Sequence, residues 1–218
     1  MAVARMTTWK YKSGRRERAL DTLEEVMQVK MSGFLGSLVL MSMEDPDSQV
    51  ILTLWEDEAA LRSSEASIFR KEGGFVGDFR RMEEFLDVPP RVENYRVRSA
   101  NALKIPPDTR AAARLSLWKY TSSQREKALD TLEKYYGVAG RIPGFQGGFT
   151  LLSLDDPDSE VLITIWEDEE AMRASAQGLF RDTSRDLERY LAGPPEVKSY
   201  RVRSAEVREI QLELARPM

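Results

Sequence analysis

The chain has 218 residues, a formal net charge of −4, and neither cysteine nor histidine. The missing cysteine excludes disulfides, thiolate nucleophiles and cysteine-ligated metals, and the missing histidine excludes Ser-His-Asp triads and imidazole–metal centres. With 36 acidic against 32 basic residues the chain lacks the basic footprint of a nucleic-acid binder, so no nucleic-acid partner is expected.

The N-terminal stretch shows no continuous apolar signal region. The longest apolar run, around Leu38–Met41, is far short of the roughly 20 residues needed to span a bilayer. A cytoplasmic protein with no membrane partner is expected. The first β-prone segment is Met6–Tyr11. Arg15–Val29 follows, with Ala19, Leu20, Leu23, Val26 and Met27 at the spacing of an amphipathic helix. Phe34–Met43 and Val50–Trp55 are rich in Leu, Val, Ile and aromatics and read as two strands joined by the turn Glu44-Asp-Pro-Asp-Ser48. Asp57 can cap the next helix, and Glu58 suits its positive end. Met82, Phe85 and Leu86 mark a further helical stretch, ended by Pro89-Pro90, and Val92–Val97 alternates as a last strand.

The same unit is then written again. Trp9-Lys-Tyr11 returns as Trp118-Lys-Tyr120, and Ala19-Leu-Asp-Thr-Leu-Glu24 as Ala128-Leu-Asp-Thr-Leu-Glu133. Asp45-Pro-Asp-Ser48 returns as Asp156-Pro-Asp-Ser159, Trp55-Glu-Asp-Glu58 as Trp166-Glu-Asp-Glu169, and Tyr95-Arg-Val-Arg-Ser-Ala100 as Tyr200-Arg-Val-Arg-Ser-Ala205. Two long copies are tandem domains rather than a solenoid. The expected division is residues 1–100, a linker at 101–112 containing Pro106-Pro107, a second domain at 113–206, and a tail at 207–218.

The order β-α-β-β-α-β is ferredoxin-like, so the fold class is α+β. Helices cover one face of such a sheet, yet Val50–Trp55 is apolar on both. A bare apolar face of that size is not tolerated by a soluble monomer. The two sheets are therefore expected to pack face to face as a pseudo-dimeric α+β barrel with helices outside. Further homo-oligomerisation is left open.

The string from Glu44 to Leu61, with Gly33-Phe34 and Gly144-Phe145 before the second strands and Trp55 and Trp166 ending the third, resembles the antibiotic biosynthesis monooxygenase domain of the dimeric α+β barrel superfamily. The resemblance implies that fold. It admits cofactor-free oxygenases of polycyclic aromatics, haem-degrading enzymes, and members with no established reaction. The haem branch uses an Asn, a Trp and a His. Here Thr7 and Ser116 stand at the Asn position, Ser64 and Ser175 near the Trp, and no His exists. The oxygenase branch implies no cofactor, a dry aromatic pocket between sheet and helices, and a hydrogen-bond partner or base for an ionising phenol.

Candidate substrate-binding residues for a small aromatic or hydrophobic ligand are Thr7, Trp9 and Tyr11, at alternate positions on one face of the first strand, and their partners Ser116, Trp118 and Tyr120. Tyr95 and Tyr200 on the last strands join them. The aromatic residues equally suit a packed core. No general base can be singled out. The Asp45/Asp47 and Asp156/Asp158 clusters read as turns and not as Ca²⁺ loops, because they lack the Gly and terminal Glu of an EF-hand. No metal site is expected. Three readings stay open: an oxygenase, a non-catalytic binding module, and a structural pseudo-dimer.

Overall fold

The computed structural model describes residues 1–20, 31–68, 82–101, 103–105 and 109–208. The first half runs β1 (Val3–Lys10), β2 (Phe34–Ser42), β3 (Ser48–Trp55), α1 (Glu58–Ile68) and β4 (Arg91–Ala100). A short β5 (Leu103–Ile105) follows. The second half runs β6 (Ala112–Lys119), α2 (Arg125–Ala139), β7 (Phe145–Ser153), β8 (Ser159–Trp166), α3 (Glu169–Ser175), a π-turn (Ala176–Phe180), α4 (Arg181–Leu187), a 3₁₀ turn (Glu188–Tyr190) and β9 (Glu196–Val207). The helix expected over Arg15–Val29 is seen at residues 16–20, and its remainder lies outside the described residues.

Each half is an antiparallel four-stranded sheet in ferredoxin-like order, β2-β3-β1-β4 and β7-β8-β6-β9. The halves are joined by hydrogen bonds as well as by packing. β4 pairs with β7, with Tyr95 opposite Ser153, and β9 pairs with β2, with Tyr200 opposite Ser42. Eight strands thus close into a barrel without free long edges, which removes the pairing hazard of an open sheet. Within the stretch read as a linker, Leu103–Ile105 adds a short strand along β9.

Strand parity divides the side chains into two layers. Ala4, Met6, Leu38, Leu40, Leu52, Leu54, Val97, Ala113, Leu115, Phe149, Leu151, Ile163 and Val202 point inward and form one core shared by both halves. That core is the cover required for the second face of each sheet. At about 1.5–3 kcal/mol per large buried apolar side chain, it is the dominant force holding the halves together. The odd residues of β1 and the even residues of β6 face the helices. There Trp9, Tyr11, Val39, Met41 and Ile51 form one cluster, and Trp118, Tyr120, Leu129, Leu132, Leu152 and Leu187 its counterpart.

Local chemistry explains the repeated motifs. The turn carboxylate of Asp45 accepts from the Asp47 backbone N–H at 3.1 Å, and Asp156 does the same for Asp158 at 3.0 Å. Both clusters are turns, as their sequence indicates. Asp57 caps α1 by accepting from Ala60 N at 2.8 Å, and Asp168 caps α3 by accepting from Ala171 N at 2.9 Å. Trp55 packs edge-on against Phe34 with ring centroids 5.2 Å apart, and Trp166 against Phe145 at 5.3 Å. Each indole N–H donates to a strand threonine, Thr53 or Thr164, at 3.1 Å. These two tryptophans are structural.

Candidate functional site

The parity of β6 sets Arg114, Ser116, Trp118 and Tyr120 in a row facing α2 and the α3–α4 segment. All four are buried. Phe180, the last residue of the π-turn, lies over this row. Its ring centre is 6.0 Å from that of Trp118, and the Arg114 guanidinium sits 4.8 Å above it. π-turns inside helices concentrate at functional sites, because the extra residue re-aims side chains. Arg114 donates to Ser175 Oγ at 3.0 Å and to the Met172 carbonyl. Desolvation lowers its pKa, and among the described residues no carboxylate is bound to it. Ser175, near the place where the haem branch carries its Trp, is thus a buried ligand of Arg114. Ser64 is its buried counterpart in the first half and donates to the Leu61 carbonyl at 2.6 Å.

Across the ladder from Trp118 stands Glu160, fully buried. Tyr120 Oη donates to Glu160 Oε2 at 3.0 Å. Removal from water, only partly offset by Tyr120, Arg125 and Arg98, pushes the Glu160 carboxyl up to about 7. Its Oε1 is buried with no hydrogen-bond partner among the described residues, and so is Nε1 of Trp118. A buried acceptor and a buried donor, each unpaired, are costly to a fold and call for an explanation. Sequence reasoning missed this residue. The available signal was parity, since Glu160, Leu162 and Thr164 alternate with the barrel residues Val161, Ile163 and Ile165.

The first half carries an equivalent row with Gln49 at the place of Glu160. Gln49 lies opposite Trp9, is fully buried, and donates from Nε2 to Tyr11 Oη at 2.5 Å. Trp9 and Tyr11 stack with rings 5° from parallel and centroids 6.4 Å apart. Burial raises the Tyr11 phenol well above its usual range. Thr7 lies on the same face but is only half-buried.

Tyr95 and Tyr200 do not join these residues, which corrects the expectation that they share the helix-side pocket. Tyr95 is opposite Ala4 and Tyr200 opposite Ala113, and directly paired residues of an antiparallel ladder point to the same side. Both tyrosines therefore enter the barrel interior. Burial raises both phenols, Tyr200 up to about 12.

Two cavities lie away from these buried rows. One of about 550 Å³ opens at the junction of the halves, between Met43, Thr109, Arg110 and Arg201. Another of about 560 Å³ lies along the outer face of α4, at Arg185 to Arg189. Among the described residues no helix is long and apolar enough to cross a membrane, and none of their acidic side chains cluster as a metal site.

The sequence matches the antibiotic biosynthesis monooxygenase family over residues 2–76 and again over 115–182. The chain belongs to that family. This antibiotic biosynthesis monooxygenase protein carries the domain twice, in agreement with its internal repeat and with the barrel. No curated protein matches its sequence. Among solved structures it is similar to a candidate monooxygenase from Fusobacterium nucleatum, with a TM-score of 0.80 at 11% identity over 96% of this chain and 98% of that one. A candidate monooxygenase from Lactobacillus acidophilus gives 0.74 at 12% identity, over 94% and 96% of the two chains. An anthrone oxidase-like protein gives 0.68 at 16% identity, over 98% and 96%. At such identities the likeness is one of fold, and the chemistry must be argued from the side chains.

Proposed function

We propose that this protein is an oxygenase that uses no metal or organic cofactor and acts on an aromatic, anthrone- or quinol-like small molecule. The substrate-binding residues are Ser116, Trp118 and Tyr120 in the second half and Thr7, Trp9 and Tyr11 in the first. The observation that carries the reading is the buried indole N–H of Trp118, unpaired among the described residues and flanked by Phe180 and Tyr120. A planar ligand carrying a carbonyl would stack on such a row and accept that hydrogen bond. Family membership supports the reaction class. For an anthrone the balance is R₂CH₂ + O₂ → R₂C=O + H₂O. All four electrons come from the substrate, so no external reductant is required. The reading includes a cytoplasmic location. The internal repeat supports domains at 1–100 and 113–206, joined by 101–112.

One observation favours a second reading. Trp118 and Tyr120 are almost fully covered, as in a non-catalytic binding module or a purely structural barrel. Oxygen uptake with 1,8-dihydroxyanthrone in metal-free buffer separates the readings. Uptake above the spontaneous rate is expected, with one O₂ consumed per anthrone. Trp118→Phe keeps most of the core volume but removes the donor, and should slow turnover by about tenfold or more. Binding without uptake would identify a module, and neither binding nor uptake a structural barrel.

A further inference from the structure

Position 49 of the first half and position 160 of the second are structural equivalents. Each lies one residue after the Asp-Pro-Asp-Ser turn, each faces the helices, and each stands opposite the first-strand tryptophan. Each is fully buried and hydrogen-bonded to the tyrosine two residues beyond that tryptophan. Only their chemistry differs. Gln49 carries a carboxamide, which takes up no proton near neutral pH; its Oε1, like that of Glu160, is buried with no hydrogen-bond partner among the described residues, so the two positions differ in proton capacity alone. Glu160 carries a carboxylate with one oxygen held by Tyr120 and the other unpaired.

We propose that Glu160 is the proton-accepting group of the second half, that its unpaired Oε1 takes the acidic proton of the bound aromatic, and that the first half, holding Gln49, is not a turnover site. This rests on the function proposed above and names the working half and its base. Oxygen accepts electrons from such a substrate as an anion, so ionisation must precede oxidation. In that step the substrate O–H or enolisable C–H breaks, the proton passes to Glu160 Oε1, and the electron pair stays on the substrate. Trp118 Nε1 lies opposite and can donate to the oxygen on which the negative charge settles.

The charged and titratable groups facing Glu160 fit a base that works near neutrality. Tyr120 donates to it, Arg125 and Arg98 favour its ionised form, and Glu126 opposes it. Desolvation outweighs the cations, leaving a carboxyl that is ionised at about half occupancy near pH 7. Glutamine satisfies the same tyrosine in the first half.

Glu160→Gln tests this with a side chain that the fold already accepts at position 49. Under anaerobic conditions, 1,8-dihydroxyanthrone bound to the wild-type protein should convert to its coloured anion with a midpoint near pH 7. Glu160→Gln should lose that conversion and slow aerobic turnover by about 100-fold or more, whereas Gln49→Leu should leave both within about threefold. Carbon-13 carboxyl titration of the full chain reads Glu160 with no ligand present. One resonance, missing in Glu160→Gln, should titrate near 7. Anaerobic ionisation without oxygen uptake would refute the oxygenase reading and leave Glu160 as a base. An unchanged anion yield in Glu160→Gln, loss in Gln49→Leu instead, or a Glu160 resonance titrating near 4.5 would each overturn the proposal.

Discussion

Glu160 stands in the second half where Gln49 stands in the first, and the carboxylate carries a cost in stability. The unfolded chain releases this proton from about pH 4.5 upward, whereas the folded chain holds it until about 7. The folded state therefore binds more protons between those values, and stability falls as pH rises through that window and levels off above it. The fully ionised group costs roughly 3 kcal/mol. Glu160→Gln should remove that slope and be the more stable protein at pH 8, as measured by denaturant unfolding at pH 5 and pH 8. A wild-type stability unchanged across this range would contradict the buried carboxylate. At Gly144 the constraint is steric. Its φ is +78°, and a Cβ would lie 2.6 Å from Ala171 Cβ, so Gly144→Ala should cost about 2–4 kcal/mol in thermal unfolding. Gly33 repeats this against Ala60, which explains the Gly-Phe pair before each second strand.

The elements were largely legible because the turns and caps have local chemistry. Asp-Pro-Asp-Ser, Trp-Glu-Asp-Glu and the alternating strands act through neighbours in sequence, and all appear where their residues require. Boundaries moved where pairing extends them. β1 begins at Val3 because Val3 pairs with both Trp55 and Arg96. The helix-side row of Trp9 and Tyr11, or Trp118 and Tyr120, was legible from parity within one strand. The placement of Tyr95 and Tyr200 was not, because relative facing across strands depends on register, which no single strand encodes. The facing of Glu160 could be read from parity, but its burial depends on the helices above it. The β7–β8 turn yields a second pH prediction. Lys119 foremost, then Ser159 and the Asp158 N–H, hold the Asp156 carboxyl down at about 2. A depressed carboxyl stabilises above its unfolded value of 3.8, and that contribution is lost as pH falls toward 2. Asp156→Asn should flatten acid unfolding over that interval, and an unchanged acid limb would show the contact to be idle. The effect is small because the pair is partly exposed to solvent.

At the scale of the molecule, the duplication lets one polypeptide close a barrel. β4 and β9 cross over to complete each other's half, and the inward apolar faces become a single interior. That closure directs the aromatic rows and Glu160 outward beneath the helices, away from the shared core. Native-state hydrogen exchange on the intact chain tests it most directly. Backbone amides in the β4–β7 and β2–β9 ladders should be as protected as those of β1–β3 within the first half, opening only with global unfolding. Rapid exchange in both crossing ladders while β1–β3 stays protected would mean that the halves are separate sheets, and the barrel would not exist.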